Sequence, residues 1–231
     1  MKTIGLLGGM SWESTAHYYR LLNQGVNEKL GGLHSAKIAM VSVDFQPLER
    51  LMQQGEWVEC GERLADAARK IEMAGADFLL ICTNTMHKVA GVITEAVNIP
   101  LLHIADATAE RIKAENIQTV GLLGTRFTME EEFYCGRLSR KHGLTVIIPS
   151  QEDRKIVHDV IFEELCLGKV RTESRKTYLN IIETMHRQGA EAVIEGCTEI
   201  GMLVNQDHTK VTLFDTTALH VEHAVLFALA G

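Results

Sequence analysis

Gly75-Ala76-Asp77-Phe78-Leu79-Leu80-Ile81-Cys82-Thr83-Asn84-Thr85 returns later in the chain as Gly189-Ala190-Glu191-Ala192-Val193-Ile194-Glu195-Gly196-Cys197-Thr198-Glu199. Laid in register, Thr83 stands opposite Cys197 and Asn84 opposite Thr198. A second echo frames the first: Thr3-Ile4-Gly5-Leu6-Leu7-Gly8-Gly9 recurs as Thr119-Val120-Gly121-Leu122-Leu123-Gly124-Thr125. The echoes are offset by 114 and 116 residues, so two related halves follow one another with almost no slippage. A duplicated half-fold can face itself across a cleft and present matching groups to both sides of one ligand. That suits chemistry on both faces of a carbon atom, and it makes Thr83 and Cys197 the pair to explain.

Short apolar runs alternate with longer helical patterns, the mark of an α/β chain with mostly parallel sheets flanked by helices. Strands are predicted over residues 3–7, 37–43, 77–82, 101–103, 119–123, 145–148, 192–195 and 211–214. Helices are predicted over 12–29, 57–73, 86–97, 105–115, 129–141, 154–167, 171–188 and 217–229. Runs such as Phe78-Leu79-Leu80-Ile81 read as strands buried on both faces. With three prolines and no Gly/Ser linker, the repeat itself sets the domains. The first is expected over 1–103 plus 216–231, with the last helix packing back on it, and the second over 104–215. The two are related halves that can face one ligand between them.

Of the 231 residues, 46% are hydrophobic and 23% charged, which provides for a proper core. A net charge of −7 leaves no basic stripe for phosphates and excludes nucleic acid as a partner. No apolar run approaches the roughly 20 residues that span a bilayer. The chain enters a strand almost at once, so no signal peptide is expected and the cytoplasm is the default. The five cysteines, Cys60, Cys82, Cys135, Cys166 and Cys197, are odd in number and scattered, which argues for reduced thiols over disulfides or structural zinc. Cys60, Cys135 and Cys166 read as small apolar residues in helices. Cys197 differs because of where the repeat places it.

Ligands of open parallel sheets collect beyond the carboxyl ends of the strands. Four repeat-related loops fall there: Gly8-Gly9-Met10-Ser11, Thr83-Asn84-Thr85, Gly124-Thr125-Arg126 and Cys197-Thr198-Glu199. Free N–H groups at a strand-to-helix turn suit a carboxylate or phosphate. No Gly-x-Gly-x-x-Gly fingerprint or Walker lysine occurs, which disfavours a nucleotide cofactor. His220-Val221-Glu222-His223 lacks a third ligand and reads as solvated surface. Asp106 and Asp215 read as helix-start carboxylates. His87 reads equally as a substrate-positioning group or an ordinary histidine of a first helical turn.

Gly8-Gly9-Met10-Ser11-Trp12-Glu13-Ser14-Thr15, Thr83-Asn84-Thr85-Met86-His87 and Gly196-Cys197-Thr198-Glu199 resemble the signature blocks of the aspartate/glutamate racemase family, and Gly124-Thr125-Arg126-Phe127-Thr128-Met129 resembles its fourth. The match covers nearly the whole chain in order. The resemblance implies two pseudo-symmetric α/β domains with the active site in the cleft between them, cofactor-independent racemisation of an amino acid, with no pyridoxal phosphate and no metal, and a homodimer. The family's pattern is Cys-Asn-Thr in the first half and Gly-Cys-Thr in the second, with two cysteines exchanging a proton on opposite faces of Cα. It implies catalytic roles for Thr83 and Cys197, with Ser11, Asn84, Thr85, Thr198 and Glu199 binding substrate. Arg50, Arg126 and Lys169 are candidates for holding an acidic side chain, and Met10 and Met52 are equal candidates for lining a substrate pocket for uncharged side chains.

Thr83 departs from the pattern, standing where the first cysteine should be. Alternation along the strand turns neighbouring Cys82 to the core if Thr83 faces the cleft. A hydroxyl is a far weaker acid than a thiol, so Cys197 is expected to be the stronger partner and the two substrate hands to be treated unequally. Glu195, two residues before Cys197, would raise the thiol pKa or accept a cationic group, or else be satisfied at the sheet end. Two other functions fit: a decarboxylase resembling arylmalonate decarboxylase, with a single catalytic cysteine, and a non-catalytic amino-acid-binding module.

Overall fold

The computed structural model describes residues 1–230, which form two compact units. Unit 1 comprises Met1–Ile104 together with residues from His220 onward, and unit 2 comprises Ala105–Leu219.

In unit 1, β1 (Ile4–Gly8) pairs in parallel with β2 (Ile38–Ser42) on one side and β3 (Phe78–Ile81) on the other. Beyond β3 the expected strand over 101–103 is reduced to a single bridge, Leu79 to Leu101. Pro100 has no N–H and gives that edge only its carbonyl, which accepts from Leu79 at 2.9 Å. Helix α1 (Trp12–Leu30) starts at Ser11, whose side chain accepts from the Ser14 N–H, and stops at Gly31, φ +73°. Its buried stripe of Ser14, Tyr18, Leu22 and Val26 repeats every four residues. Tyr18, Leu22 and Val26 join Ile4, Leu6, Phe78, Leu80 and Cys82 in one core with Val221, Ala224 and Val225 of the last helix.

Helix α2 (Phe45–Gln54) has no counterpart among the expected helices, and Pro47 does not interrupt it. The proline stands in the first turn, where an N–H has no helical acceptor anyway, behind an Asp44 cap. Leu48, Leu51 and Met52 form its buried face. Helix α3 (Trp57–Met73) has the expected bounds. The expected helix over 86–97 is a tight 3₁₀ stretch, Thr85–Val89, continued by α4 (Ala90–Glu95).

Unit 2 repeats the plan. Helix α5 (Ile104–Ala114), whose first residue belongs to unit 1, leads in. The parallel sheet then runs in the order β5 (Thr145–Ile147), β4 (Thr119–Gly124), β6 (Ala192–Gly196) and β7 (Thr212–Asp215). The helix expected over 129–141 is broken. α6 (Arg126–Glu130) ends where Glu130, Glu131 and Glu132 crowd like charges. The Cys135 thiol donates to the Thr128 and Met129 carbonyls left open there, and a π-helical turn, Arg137–Lys141, follows. α7 (Gln151–Glu163), a 3₁₀ turn (Leu165–Leu167), α8 (Thr172–Arg187), α9 (Ile200–Leu203) and α10 (Thr216–Leu229) complete the order. Among the described residues no helix is long and apolar enough to cross a membrane.

Asp106 does not cap its helix as expected. Its carboxylate accepts from Arg137 Nε and Nη2 at 2.7 Å, Lys141 Nζ at 2.7 Å and His142 Nε2 at 2.8 Å, which ties the π-helical turn to α5. Burial alone would raise its pKa, but these hydrogen bonds outweigh it and hold the group far below the usual carboxylate range. A depressed folded pKa gives stability that is present above about pH 4, the unfolded value, and lost as pH falls toward the folded one. Asp106→Asn is expected to destabilise the protein by about 1–3 kcal/mol at pH 7, with the deficit shrinking from pH 5 to pH 2 in urea titrations.

Asp215 does cap α10, accepting from the Thr217 and Ala218 N–H groups at 2.8 and 3.1 Å. Across the ladder it faces Glu195, which is 3% exposed and whose Oε1 has no hydrogen-bonding partner among the described residues. Burial, then the Asp215 charge, push the Glu195 pKa up to about 8. Between an unfolded value near 4.5 and about 8, the folded chain keeps a proton that the unfolded chain has lost, so stability falls as pH rises through that window. Glu195→Gln is expected to abolish this fall, which has a limiting slope of ~1.4 kcal/mol per pH unit. Denaturation midpoints of both proteins from pH 5 to 9 check it.

Candidate active site

In unit 1 the β1 and β3 loops emerge side by side, because Leu7 pairs with Ile81 and the Cys82 N–H donates to the Leu7 carbonyl at 2.9 Å. Gly9 has φ +96°, and a Cβ there would come within 2.1 Å of the Val43 carbonyl oxygen, so only glycine makes this turn. The Gly9 N–H donates to Thr15 Oγ1 at 2.7 Å, and that hydroxyl donates in turn to the Ser11 carbonyl at 2.9 Å. Met10 and Ser11 are buried within this turn.

Thr83 is half-buried, whereas Cys82 is wholly buried in the apolar core, where burial pushes its thiol pKa far up. Two hydrogen bonds fix the backbone between these opposed side chains. Ser14 Oγ donates to the Cys82 carbonyl at 2.7 Å, and His87 Nδ1–H donates to the Thr83 carbonyl at 2.9 Å. A carbonyl only accepts, so the hydrogen is on Nδ1, and bare Nε2 accepts from the Ile104 N–H at 3.3 Å. Asn84 and Thr85 follow, buried, at the start of the 3₁₀ stretch. Met52 lies on the buried face of α2 with Leu48 and Leu51.

Unit 2 builds its loops in the same way. Thr125 caps α6 as Ser11 caps α1, its side chain accepting from the Thr128 N–H. Gly124 and Gly196 pair at the ends of β4 and β6, and a Cβ on Gly196 would meet the Leu123 carbonyl oxygen at 2.6 Å. Directly beyond Gly196, Cys197, Thr198 and Glu199 gather around one carboxylate. Cys197 Sγ donates to Glu199 Oε2 at 3.0 Å, and Thr198 Oγ1 donates to the same oxygen at 2.6 Å. Cys166, from the turn after α7, points its thiol at Glu199 Oε1 over a longer 3.9 Å.

Burial first, then the charges of Glu199 and Cys166 and the hydrogen bond to Glu199, push the Cys197 thiol well above the ordinary range. A backbone hydrogen bond from Glu199 offsets part of this. The resting cysteine is therefore a thiol with its proton already aimed at a carboxylate. Glu195 is not among the groups acting on it; the carboxylate that raises the thiol is Glu199. Tyr178 of α8 closes the region, fully buried, its hydroxyl donating to the Val157 carbonyl at 2.8 Å.

Thr83 and Cys197 belong to different units, Thr83 beyond β3 beside the β1 loop and Cys197 in the turn with Thr198 and Glu199. Arg50, Arg126 and Lys169 all have exposed side chains. His220 is not surface: it is completely buried, with Tyr18 O–H donating to Nδ1 and Nε2–H donating to the Leu102 carbonyl, each at 2.9 Å. Both ring nitrogens are satisfied, which is what permits its burial, and burial and then His87 lower its pKa to about 3. Sequence reasoning missed Ser14, Thr15 and Cys166. Cys166 gives no sequence signal, being 31 residues from Cys197 on another element.

The Bacillus subtilis (strain 168) broad specificity amino-acid racemase RacX is 23% identical over 228 residues, covering 98% of each chain. A crystal structure from Yersinia pestis, assigned to the Asp/Glu racemases, is 52% identical with a TM-score of 0.92, covering 99% of this chain and 100% of that one. PH1733, an aspartate racemase homologue from Pyrococcus horikoshii OT3, is 32% identical with a TM-score of 0.84, covering 99% of each. The family profile described as Asp/Glu/Hydantoin racemase matches residues 7–224. With the profile spanning nearly the whole chain, over two parallel-sheet units whose strand ends carry Thr83 and Cys197, the chain belongs to the Asp/Glu/Hydantoin racemase family and is an isomerase acting on amino acids.

Proposed function

We propose that the protein racemises an amino acid without a cofactor, Cys197 and Thr83 acting as opposed proton donor and acceptor on the two faces of Cα. The observation that carries this reading is the Cys197 thiol, buried at the end of β6 and hydrogen-bonded at 3.0 Å to the Glu199 carboxylate. The Sγ proton passes to Glu199 Oε2, the thiolate takes the α-proton, and Thr83 gives its hydroxyl proton to the other face; solvent then returns a proton to Thr83 and takes the one on Glu199, and the reverse reaction exchanges these roles. The negative charge of Glu199 opposes ionisation of the thiol. A substrate ammonium group offsets that charge, so the base forms when substrate arrives.

Aspartate and glutamate, with some breadth beyond them, are the substrates that the relatives' names support. Five free cysteines support a reducing, cytoplasmic setting. Exposed Trp12 and Tyr19, seven residues apart on the outer face of α1, support a homodimer.

An equilibrium constant of one between enantiomers forces kcat/KM to be equal for the two hands. A hydroxyl facing a thiol therefore shows itself as unequal kcat values matched by unequal KM values. Thr83→Cys is expected to narrow that inequality, while Cys197→Ala and Thr83→Ala each lower inversion by about 10²–10⁴-fold. α-Hydrogen exchange of L- and D-aspartate and glutamate in heavy water is the measurement. Binding without exchange would replace this reading with a binding module, and carbon dioxide release from malonates would replace it with a decarboxylase.

Glu199→Gln is expected to lower kcat by about 10²-fold and to raise KM, because the substrate ammonium loses its partner charge. The same change removes a charge and a hydrogen bond that raise the Cys197 pKa. The rising limb of kcat/KM against pH is therefore expected to move to lower pH in the variant. An unmoved limb would show that Glu199 does not control the thiol.

A further inference from the structure

We propose that His87 is the positioning residue for Thr83, tying the carbonyl of that residue to the backbone N–H of Ile104 and so fixing the hydroxyl over the substrate carbon. The inference rests on the reading of Thr83 as a proton-transfer group. Both ring nitrogens are committed to backbone, Nδ1–H to the Thr83 carbonyl at 2.9 Å and Nε2 to the Ile104 N–H at 3.3 Å, so the ring acts as a strut and not as a substrate ligand. Its faces are packed: His103 lies 4.4 Å away between ring centroids and His220 6.1 Å away. The far end of the strut is also anchored. The Leu102 carbonyl accepts from His220, and the Leu102 N–H donates to the Leu79 carbonyl at 3.0 Å.

A strut is needed here for a definite reason. The Thr83 hydroxyl is only two bonds from Cα and inherits any displacement of the loop. Misplacing a proton-transfer group by about 1 Å costs on the order of 10² in rate. Ser14 holds the Cys82 carbonyl from α1, and His87 holds the carbonyl of the next peptide, that of Thr83 itself. Cys197 has no such dependence, since its hydrogen-bonding partner is two residues away in its own turn. His87 therefore serves one face of the reaction only.

The test compares His87→Ala, His87→Asn and the wild type, each as the full chain, with L- and D-aspartate and glutamate in heavy water. His87→Ala is expected to lose about 100-fold in inversion with KM within threefold, while α-hydrogen exchange on the Cys197 face continues. Exchange then outruns inversion, which a general loss of structure does not produce. His87→Asn carries an N–H close to the place of Nδ1 and is expected to restore inversion at least tenfold over alanine. Equal loss of exchange and inversion in His87→Ala, or no gain from asparagine at an unchanged melting temperature, overturns the proposal. If alanine does not fold, His87→Gln replaces it: its amide reaches toward Nε2 instead, so asparagine must retain inversion and glutamine lose it. A wild type that exchanges neither hand of any amino acid fails differently and sinks the racemase reading itself.

Discussion

Parallel pairing of a central strand with the third strand of each half, β1 with β3 and β4 with β6, is the constraint from which the rest of the molecule follows. It brings the loop after the first strand beside the loop after the third in each unit. Strands buried on both faces have no room to slip, so the point where each chain leaves the sheet is set by core packing. Each loop then needs only short-range bonds to acquire a shape. Ser11, Ser14 and Thr15 supply them in unit 1, and Thr125 and Glu199 in unit 2.

Charge is handled differently in the two units. Around Thr83 the fixing groups are neutral: a hydroxyl, an imidazole with one hydrogen, and backbone amides. Around Cys197 an anionic carboxylate collects a thiol and a hydroxyl on one oxygen. The arrangement orients the sulfur and raises its pKa at the same time. Orientation and readiness to ionise thus pull in opposite directions.

The α/β architecture was legible because its strands are continuous apolar runs and its halves repeat. The order β5-β4-β6-β7 matches β2-β1-β3 with the Leu101 bridge as the reduced fourth member. The family was legible from the strand-end loops, as was the inward turn of Cys82, which follows from alternation alone. Helix α2 was not read from the sequence: it is only 10 residues long, and a proline's identity does not show that it stands in a first turn. Buried His220 was hidden for a similar reason: a His-x-x-His spacing says nothing about which face of a helix lies under a tyrosine and a free carbonyl. The partners of Cys197 were half visible. Glu199 is adjacent in sequence, but its turning back onto the sulfur depends on backbone angles that no residue pattern encodes, and Cys166 arrives from a separate element.

The protonated state of Cys197 bears on its survival as well as on its chemistry. Thiolates, not thiols, react with peroxides and alkylating electrophiles, so cysteines of lowered pKa are the ones most readily damaged. A sulfur buried beside a carboxylate and held as S–H is a poor target for either. The protection comes from Glu199, whose charge and hydrogen bond help to keep the sulfur protonated. A covalent inhibitor aimed at this cysteine would need its own cationic group close to the electrophile, because an electrophile alone meets a thiol that has not yet been armed.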